Sequence, residues 1–173
     1  MFLELIGTVF AGIAVAGLVM LLGKVTGGRL PRWMTPVAAG LAMIAVTISS
    51  EYSWFSRTTA ALPEGLVVAQ TVEKRAFYQP WTYVTPYVNR FVAADIATMQ
   101  SHPERPDQKI AQLYFFGRWA AVEKLPVAFD CAENRRAMLG DGVEFDAAGE
   151  LVDADWVVAP PGDPLVQTVC EVA

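Results

Sequence analysis

The sequence predicts an α+β fold, in which an N-terminal transmembrane helical hairpin precedes a small, mainly antiparallel β domain. Two long segments without charge, residues 5–23 and 33–50, open the chain. The charged residues are concentrated after them, where short β-prone runs alternate with turn residues. We therefore expect one domain at residues 1–55 and a second at residues 56–173.

Composition excludes several classes of protein. Of the 173 residues, 54% are apolar and 18% are charged, which excludes intrinsic disorder. The net charge of −5 argues against nucleic acid as a partner, because phosphate binding needs clustered lysine and arginine. One histidine and two cysteines are too few for a zinc site of the usual kind. The sequence predicts no metal and no cofactor.

The two apolar segments have the length of membrane-spanning helices. Nineteen helical residues extend about 28 Å, close to the thickness of a bilayer core of about 30 Å. The first segment is not typical of a cleaved signal peptide, because Glu4 precedes it and no lysine or arginine does. We predict that both helices are retained.

Charge in the connecting loop predicts the orientation of the hairpin. Lys24, Arg29 and Arg32 lie between the two segments with no acidic residue among them. Positively charged loops face the cytoplasm, so residues 24–32 are predicted to be cytoplasmic and both ends of the hairpin to lie across the membrane. A bacterial inner membrane, with the N-terminus and the β domain in the periplasm, fits this pattern.

The first helix is rich in small residues at helical spacings that allow close approach of two backbones in a membrane. These residues are Gly7, Ala11, Gly12, Ala14, Ala16 and Gly17. They predict a helix-packing interface. Two interpretations stay open, namely packing of the hairpin on itself and docking against a helix of another membrane protein.

The β domain is predicted to contain about five to seven short strands and one helix. Candidate strands are residues 66–71, 81–88, 110–119, 127–131, 156–159 and 165–172, with a hairpin formed by 143–145 and 151–152 around a turn at 146–149. A partial apolar stripe predicts a short helix over residues 89–100, and the proline-containing segment 101–108 is predicted to be a polar loop.

Cysteine usage predicts one disulfide. Cys131 and Cys170 are an even pair in a domain assigned to the oxidising periplasm, and their spacing excludes a CxxC redox motif. The bridge would close a loop of about 40 residues and have a structural role.

The sequence offers no catalytic residue. His102, the one histidine, lies in the predicted polar loop without a nucleophile in a recognisable arrangement. The sequence lacks the GxSxG motif of hydrolases, the HExxH motif of zinc proteases, the GxGxxG motif of dinucleotide-binding proteins and the P-loop of nucleoside triphosphatases. We expect a protein that is not an enzyme.

Two features suggest surfaces for partners. From Leu139 onwards there are eight acidic residues and no basic one, so Asp153 and Asp155 either belong to a solvated face or steer a basic periplasmic protein such as a cytochrome c. Six aromatic residues fall within 77–91, and this segment either fills the sheet core or presents Tyr78, Trp81, Tyr83 and Tyr87 to a partner.

The chain has a recognisable pattern. The loop GGRLPRWMTP lies between two helical segments that carry no charge, and an aromatic stretch begins at Phe77. The chain resembles the small two-helix inner-membrane proteins of alphaproteobacteria. The resemblance implies the membrane hairpin and its location, and it implies no activity and no site residues.

Three functions remain as hypotheses. The first is an accessory subunit of an inner-membrane protein complex, in respiratory or photosynthetic electron transport, with membrane lipid and that complex as its partners. The second is a membrane-anchored periplasmic ligand-binding or sensing module, which requires a concave apolar pocket in the sheet. The third is an enzyme with an unfamiliar site.

Overall fold

A computed structural model describes residues 2–102, 105–140, 144–145, 151–152 and 154–171. The chain divides into two compact units, residues 1–57 and 58–173. The first contains two long apolar helices and the second an antiparallel β half-barrel, so the α+β class is confirmed.

The two helices are α1 (Phe2–Val25) and α2 (Met34–Ala60). Both are long and apolar enough to cross a membrane by length and composition. Each extends past its predicted end, α2 by ten residues at its C-terminus. Few of their apolar side chains are buried in the protein, which is what a helix surrounded by lipid requires.

Contacts at one end and in the middle join α1 and α2 in an antiparallel hairpin. At the end away from the connecting loop, Ser50 Oγ donates a hydrogen bond of 3.0 Å to Glu4 Oε1, and the Arg57 guanidinium lies 3.6 Å from the same oxygen. In the middle, a Cβ added to Gly12 would clash with the side chain of Met43. Gly12 therefore faces α2, and a side chain at this position would require the side chain of Met43 to move.

The predicted interface of small residues is divided between two faces of α1. Ala11 and Ala16 are half-buried on the side of Gly12. Gly7, Ala14 and Gly17 are exposed on the outer side, and added Cβ atoms at Gly7 and Gly17 would have no neighbour within 4 Å. The outer residues are thus left open by the hairpin's own packing.

The second unit is built on a six-stranded antiparallel sheet in the order β1-β2-β3-β4-β5-β8, and β6 pairs with β7 in a separate two-stranded sheet. The strands are β1 (Leu66–Lys74), β2 (Tyr87–His102), β3 (Arg105–Gly117), β4 (Glu123–Asp130), β5 (Arg135–Met138), β6 (Glu144–Phe145), β7 (Leu151–Val152) and β8 (Val157–Val158). A 3₁₀ helix (Pro80–Tyr83) precedes β2, and the helix α3 (Pro164–Glu171) ends the described chain.

Two predicted elements have the wrong type. Residues 89–100 are part of β2 and not a helix, because Phe91 to Ala94 are buried on both faces of the sheet and such a run has no clear period of two. Residues 165–172 were predicted as a strand, yet Pro164–Glu171 is a helix. Its start has an N-cap aspartate, Asp163, followed by proline at the first helical position.

Other boundaries also differ from the prediction. Residues 81–88 divide into the 3₁₀ helix and the start of β2, and the predicted loop 101–108 is occupied largely by the ends of β2 and β3. The strand β5 was missed. The predicted hairpin strands pair as β6 and β7, and its turn at residues 146–149 lies outside the described residues.

Candidate functional site

The helix α3 covers one half of the concave face of the sheet. Leu165, Val166 and Val169 are buried on this face, where they share a core with Phe129 of β4 and with small residues of β2 and β3. Their positions, i, i+1 and i+4, give α3 a single apolar face. The helix has eight residues and is about 12 Å long, too short to cover a face whose strand β3 has thirteen residues.

Polar contacts fix both ends of α3 to the sheet. At its N-terminus the Leu165 N–H donates a hydrogen bond of 2.9 Å to Asp163 Oδ1, and Arg136 Nη1 on β5 lies 3.2 Å from Asp163 Oδ2. At its C-terminus the buried Lys109 on β3 donates through Nζ to the carbonyl oxygens of Val169 at 3.2 Å and Cys170 at 3.3 Å. The cation satisfies carbonyls that a helix end leaves without partners.

The predicted disulfide agrees with the structure, in which Cys131 and Cys170 are bonded and their Cα atoms lie 5.8 Å apart. Beside it, Arg135 Nε and Nη2 donate to Asp130 Oδ2 at 3.1 and 3.0 Å. Burial alone raises the pKa of the Asp130 carboxyl, but the Glu133 N–H and the Arg135 guanidinium lower this pKa below its ordinary value. Asp130 is therefore a structural anion at neutral pH.

The half of the concave face that α3 leaves uncovered forms a cavity of about 630 Å³. Its walls come from all six strands of the main sheet, a neighbouring loop and α3, and its lining residues are Gln70, Val92, Leu113, Phe115, Leu125, Val127, Arg136, Met138, Asp155, Val157 and Leu165. Many are direct cross-strand partners, for example Val92 with Phe115 and Leu113 with Leu125. The volume and the apolar lining are those of a small-molecule site.

Three polar residues interrupt the apolar lining. Gln70 contributes from β1, at one side of the sheet, whereas Arg136 and Asp155 contribute from the other side, near β8. Arg136 already neutralises Asp163, and Asp155 is exposed. The polar groups thus lie at two opposite sides of an otherwise apolar lining.

A second cavity, of about 540 Å³, continues toward one edge of the sheet. It shares Val92, Phe115 and Leu125 with the first cavity and extends to Ala120 and Ala121 in the loop between β3 and β4. In an antiparallel sheet this loop lies at the same edge as the loop between β1 and β2. These two loops, residues 75–86 and 118–122, lie at one end of the strands and not along an outer strand. We call this end of the sheet the aromatic edge.

Of the four aromatic residues predicted to face a partner, three are exposed, and their contact with a partner stays a prediction. Tyr78, Trp81 and Tyr83 are exposed at the aromatic edge. The prediction that Tyr87 lies on the surface was wrong. Tyr87 is the first residue of β2 and only 7% exposed, so it belongs to the core. Of the acidic pair, Asp155 lines the cavity and Asp153 lies outside the described residues.

The described part of the chain offers few groups of side chains that could bind a metal or catalyse a reaction. There, no three His, Cys, Asp or Glu side chains are placed to hold a metal ion. His102 is the last residue of β2. The residues that sequence reasoning missed are Gln70, Arg136 and the apolar cavity wall, for which no motif gave a signal.

Comparison with known proteins adds no relative. No family model matches the chain, and neither a curated protein nor a solved structure does. The function must be inferred from the chain's own geometry.

Proposed function

We propose that this protein is a membrane-anchored binding module, which holds a small apolar or amphiphilic molecule in the concave face of its half-barrel. The observation that carries the proposal is the cavity of about 630 Å³ with apolar walls and a few polar groups. A fully packed sheet domain does not need such a space, since protein interiors are normally filled to the density of organic crystals. The space has the volume of a small-molecule site, and α3, which polar contacts attach at both of its ends, contributes to its wall.

Saturable binding of a fluorescent fatty-acid analogue tests this function. The full chain, reconstituted in nanodiscs, is titrated with a dansyl-labelled fatty acid, whose emission rises in apolar surroundings. We expect saturation at one probe per chain and displacement by unlabelled fatty acid. A linear signal equal to that of empty nanodiscs would contradict the proposal.

The same proposal places the two helices in a bacterial inner membrane with the half-barrel in the periplasm. It is supported by the length of α1 and α2 and by the three basic residues of their connecting loop. A single cysteine introduced by Pro31→Cys should be inaccessible to a membrane-impermeant maleimide in intact spheroplasts, whereas Ser101→Cys should be labelled. The opposite pattern would invert the topology.

A second candidate function, an accessory subunit of an inner-membrane complex, is favoured by the outer side of α1. Gly7, Ala14 and Gly17 are exposed there, and such residues allow a foreign helix to approach closely. Electron transport is one setting for such a complex, and steering of a basic partner by Asp155 stays a prediction.

Gly7→Leu and Gly12→Leu separate this candidate from simple hairpin packing. If a foreign helix docks on the outer side, Gly7→Leu should release the protein from a large complex on native gels after mild detergent extraction, because leucine holds the backbones apart. Gly12→Leu should instead disturb the hairpin, where Met43 occupies the space. Wild-type protein migrating alone would contradict the subunit function.

A further inference from the structure

The loop between β1 and β2 has an ordered conformation that one buried threonine organises. Thr82 is fully buried, and its Oγ1 accepts a hydrogen bond of 3.0 Å from the Ala76 N–H and donates one of 2.7 Å to the Gln79 carbonyl. The Gln79 N–H in turn donates to the Ala76 carbonyl at 2.9 Å. The 3₁₀ helix Pro80–Tyr83 follows directly. These bonds fix the direction of the neighbouring side chains.

This ordered loop presents large apolar side chains to solvent. Phe77 is 85% exposed and Val84 is 83% exposed, and the exposed set at the aromatic edge comprises Phe77, Tyr78, Trp81, Tyr83, Val84, Trp119 and Val122. Large apolar side chains exposed together at one end of a sheet mark a site of contact with another protein or with a membrane. The loop conformation and the exposure together indicate a surface built for docking.

The charge of this edge has the opposite sign to the charge of the domain. The aromatic edge and the strand ends next to it, residues 73–90 and 117–125, contain five basic residues (Lys74, Arg75, Arg90, Arg118 and Lys124) and two acidic ones (Glu73 and Glu123), a net of +3. Of the basic residues, Arg75, Arg90 and Lys124 are exposed, whereas Arg118 is buried. Residues 58–173 contain nine basic and sixteen acidic residues, a net of −7. The basic residues are therefore concentrated where the aromatic side chains are exposed, and the remainder of the domain is strongly acidic.

We propose that the aromatic edge docks onto the headgroup region of an anionic phospholipid bilayer. Tyrosine and tryptophan have an apolar ring and a polar tip, which suits the boundary between acyl chains and water. Basic residues add attraction to anionic headgroups, and the two contributions reinforce each other on one surface. The acidic remainder of the domain is repelled by the same lipids, so only this edge can face them. Docking does not depend on the identity of the cavity's ligand.

Vesicle flotation with the full chain tests the proposal. The protein is held in nanodiscs of phosphatidylcholine and mixed with vesicles of phosphatidylcholine alone or with about 30% phosphatidylglycerol. We expect flotation with the anionic vesicles and not with the neutral ones, and loss of binding as salt rises from about 0.05 M to about 0.5 M. Empty nanodiscs give the background.

Matched variants separate the edge from general charge and apolarity. Arg75→Gln should weaken binding about fivefold, the effect of one basic residue at an anionic surface. Arg105→Gln removes the same charge from the opposite edge of the sheet and should leave binding within twofold, a difference of about 0.4 kcal/mol. Phe77→Ser with Trp119→Ser should weaken binding at least tenfold, whereas Val158→Ser, at an exposed position of β8, should not.

Three outcomes would overturn lipid docking. Equal binding to neutral and anionic vesicles would remove the role of charge, and equal effects of Arg75→Gln and Arg105→Gln would remove the role of this edge. If the wild-type protein binds neither vesicle, the exposed aromatic residues are a contact for a protein and the proposal is wrong. None of these results would alter saturable probe binding by the cavity, so the two proposals fail separately.

Discussion

Leu125→Glu is expected to lower the affinity for the fatty-acid probe at least tenfold while the half-barrel stays folded. Leu125 lines both cavities and is 40% exposed, so the new side chain can be accommodated without overpacking the core. In the empty cavity the carboxylate is solvated by water. A bound apolar chain would displace that water and leave the charge without a partner, which opposes binding strongly.

Val158→Glu is the matched control, because it adds the same charge at a position of β8 that does not line the cavity. Both variants should show the same thermal unfolding midpoint within a few degrees. Titration with the dansyl probe should then give wild-type affinity for Val158→Glu and a large loss for Leu125→Glu. If the two variants bind the probe equally well, the cavity is not the binding site.

Local sequence patterns were sufficient for much of the fold. The absence of charge in residues 5–23 and 33–50 predicted α1 and α2, and alternation or β-branched residues predicted the centres of β1, β3 and β4. These signals succeed because burial of an apolar stripe or face is a property of one element at a time. The disulfide prediction instead combined the even number of cysteines with the oxidising compartment that the charge pattern of the hairpin assigned to the domain.

The errors came from elements whose type is decided by their surroundings. In β2 the run Phe91 to Ala94 is buried on both sides, so its alternation is lost and it resembles a helix. In α3 the β-branched residues favour a strand, and the cap at Asp163, the proline after it and the packing of Val169 outweigh that preference. The Asp-Pro start was the available signal for α3.

The cavity could not be predicted, because it is defined by what α3 fails to cover. Its lining residues lie between Gln70 and Leu165, and they meet through strand register and through the position of an eight-residue helix. The sequence contains no motif for such a space. The aromatic edge could be predicted only in part. The aromatic segment has no periodicity, so the sequence does not distinguish Tyr87, which is buried at the start of β2, from Phe77, which is exposed.

The largest expected change in stability follows removal of the disulfide by Cys131→Ser with Cys170→Ser. The bond joins residues 39 apart in sequence. Because its loss raises the conformational entropy of the unfolded chain, the chain-entropy model predicts that the free energy of unfolding falls by about 4 kcal/mol. The bond also ties the last turn of α3 to the end of β4, where the Lys109 ammonium contacts the same turn. Without the bond, opening of α3 would expose Val169 and enlarge the cavity, so probe affinity should fall together with stability.

Denaturant unfolding of the full chain in nanodiscs, with and without reductant, measures this change. Wild-type protein should lose about 4 kcal/mol of unfolding free energy on reduction, and the double variant should be less stable by a similar amount and indifferent to reductant. Alkylation supplies the covalent check, since both thiols should react only after reduction. Equal stability of the oxidised protein and the double variant would mean that the polar contacts at Asp163 and Lys109 hold α3 without the bond. Free thiols in protein purified without reductant would show that the bond does not form.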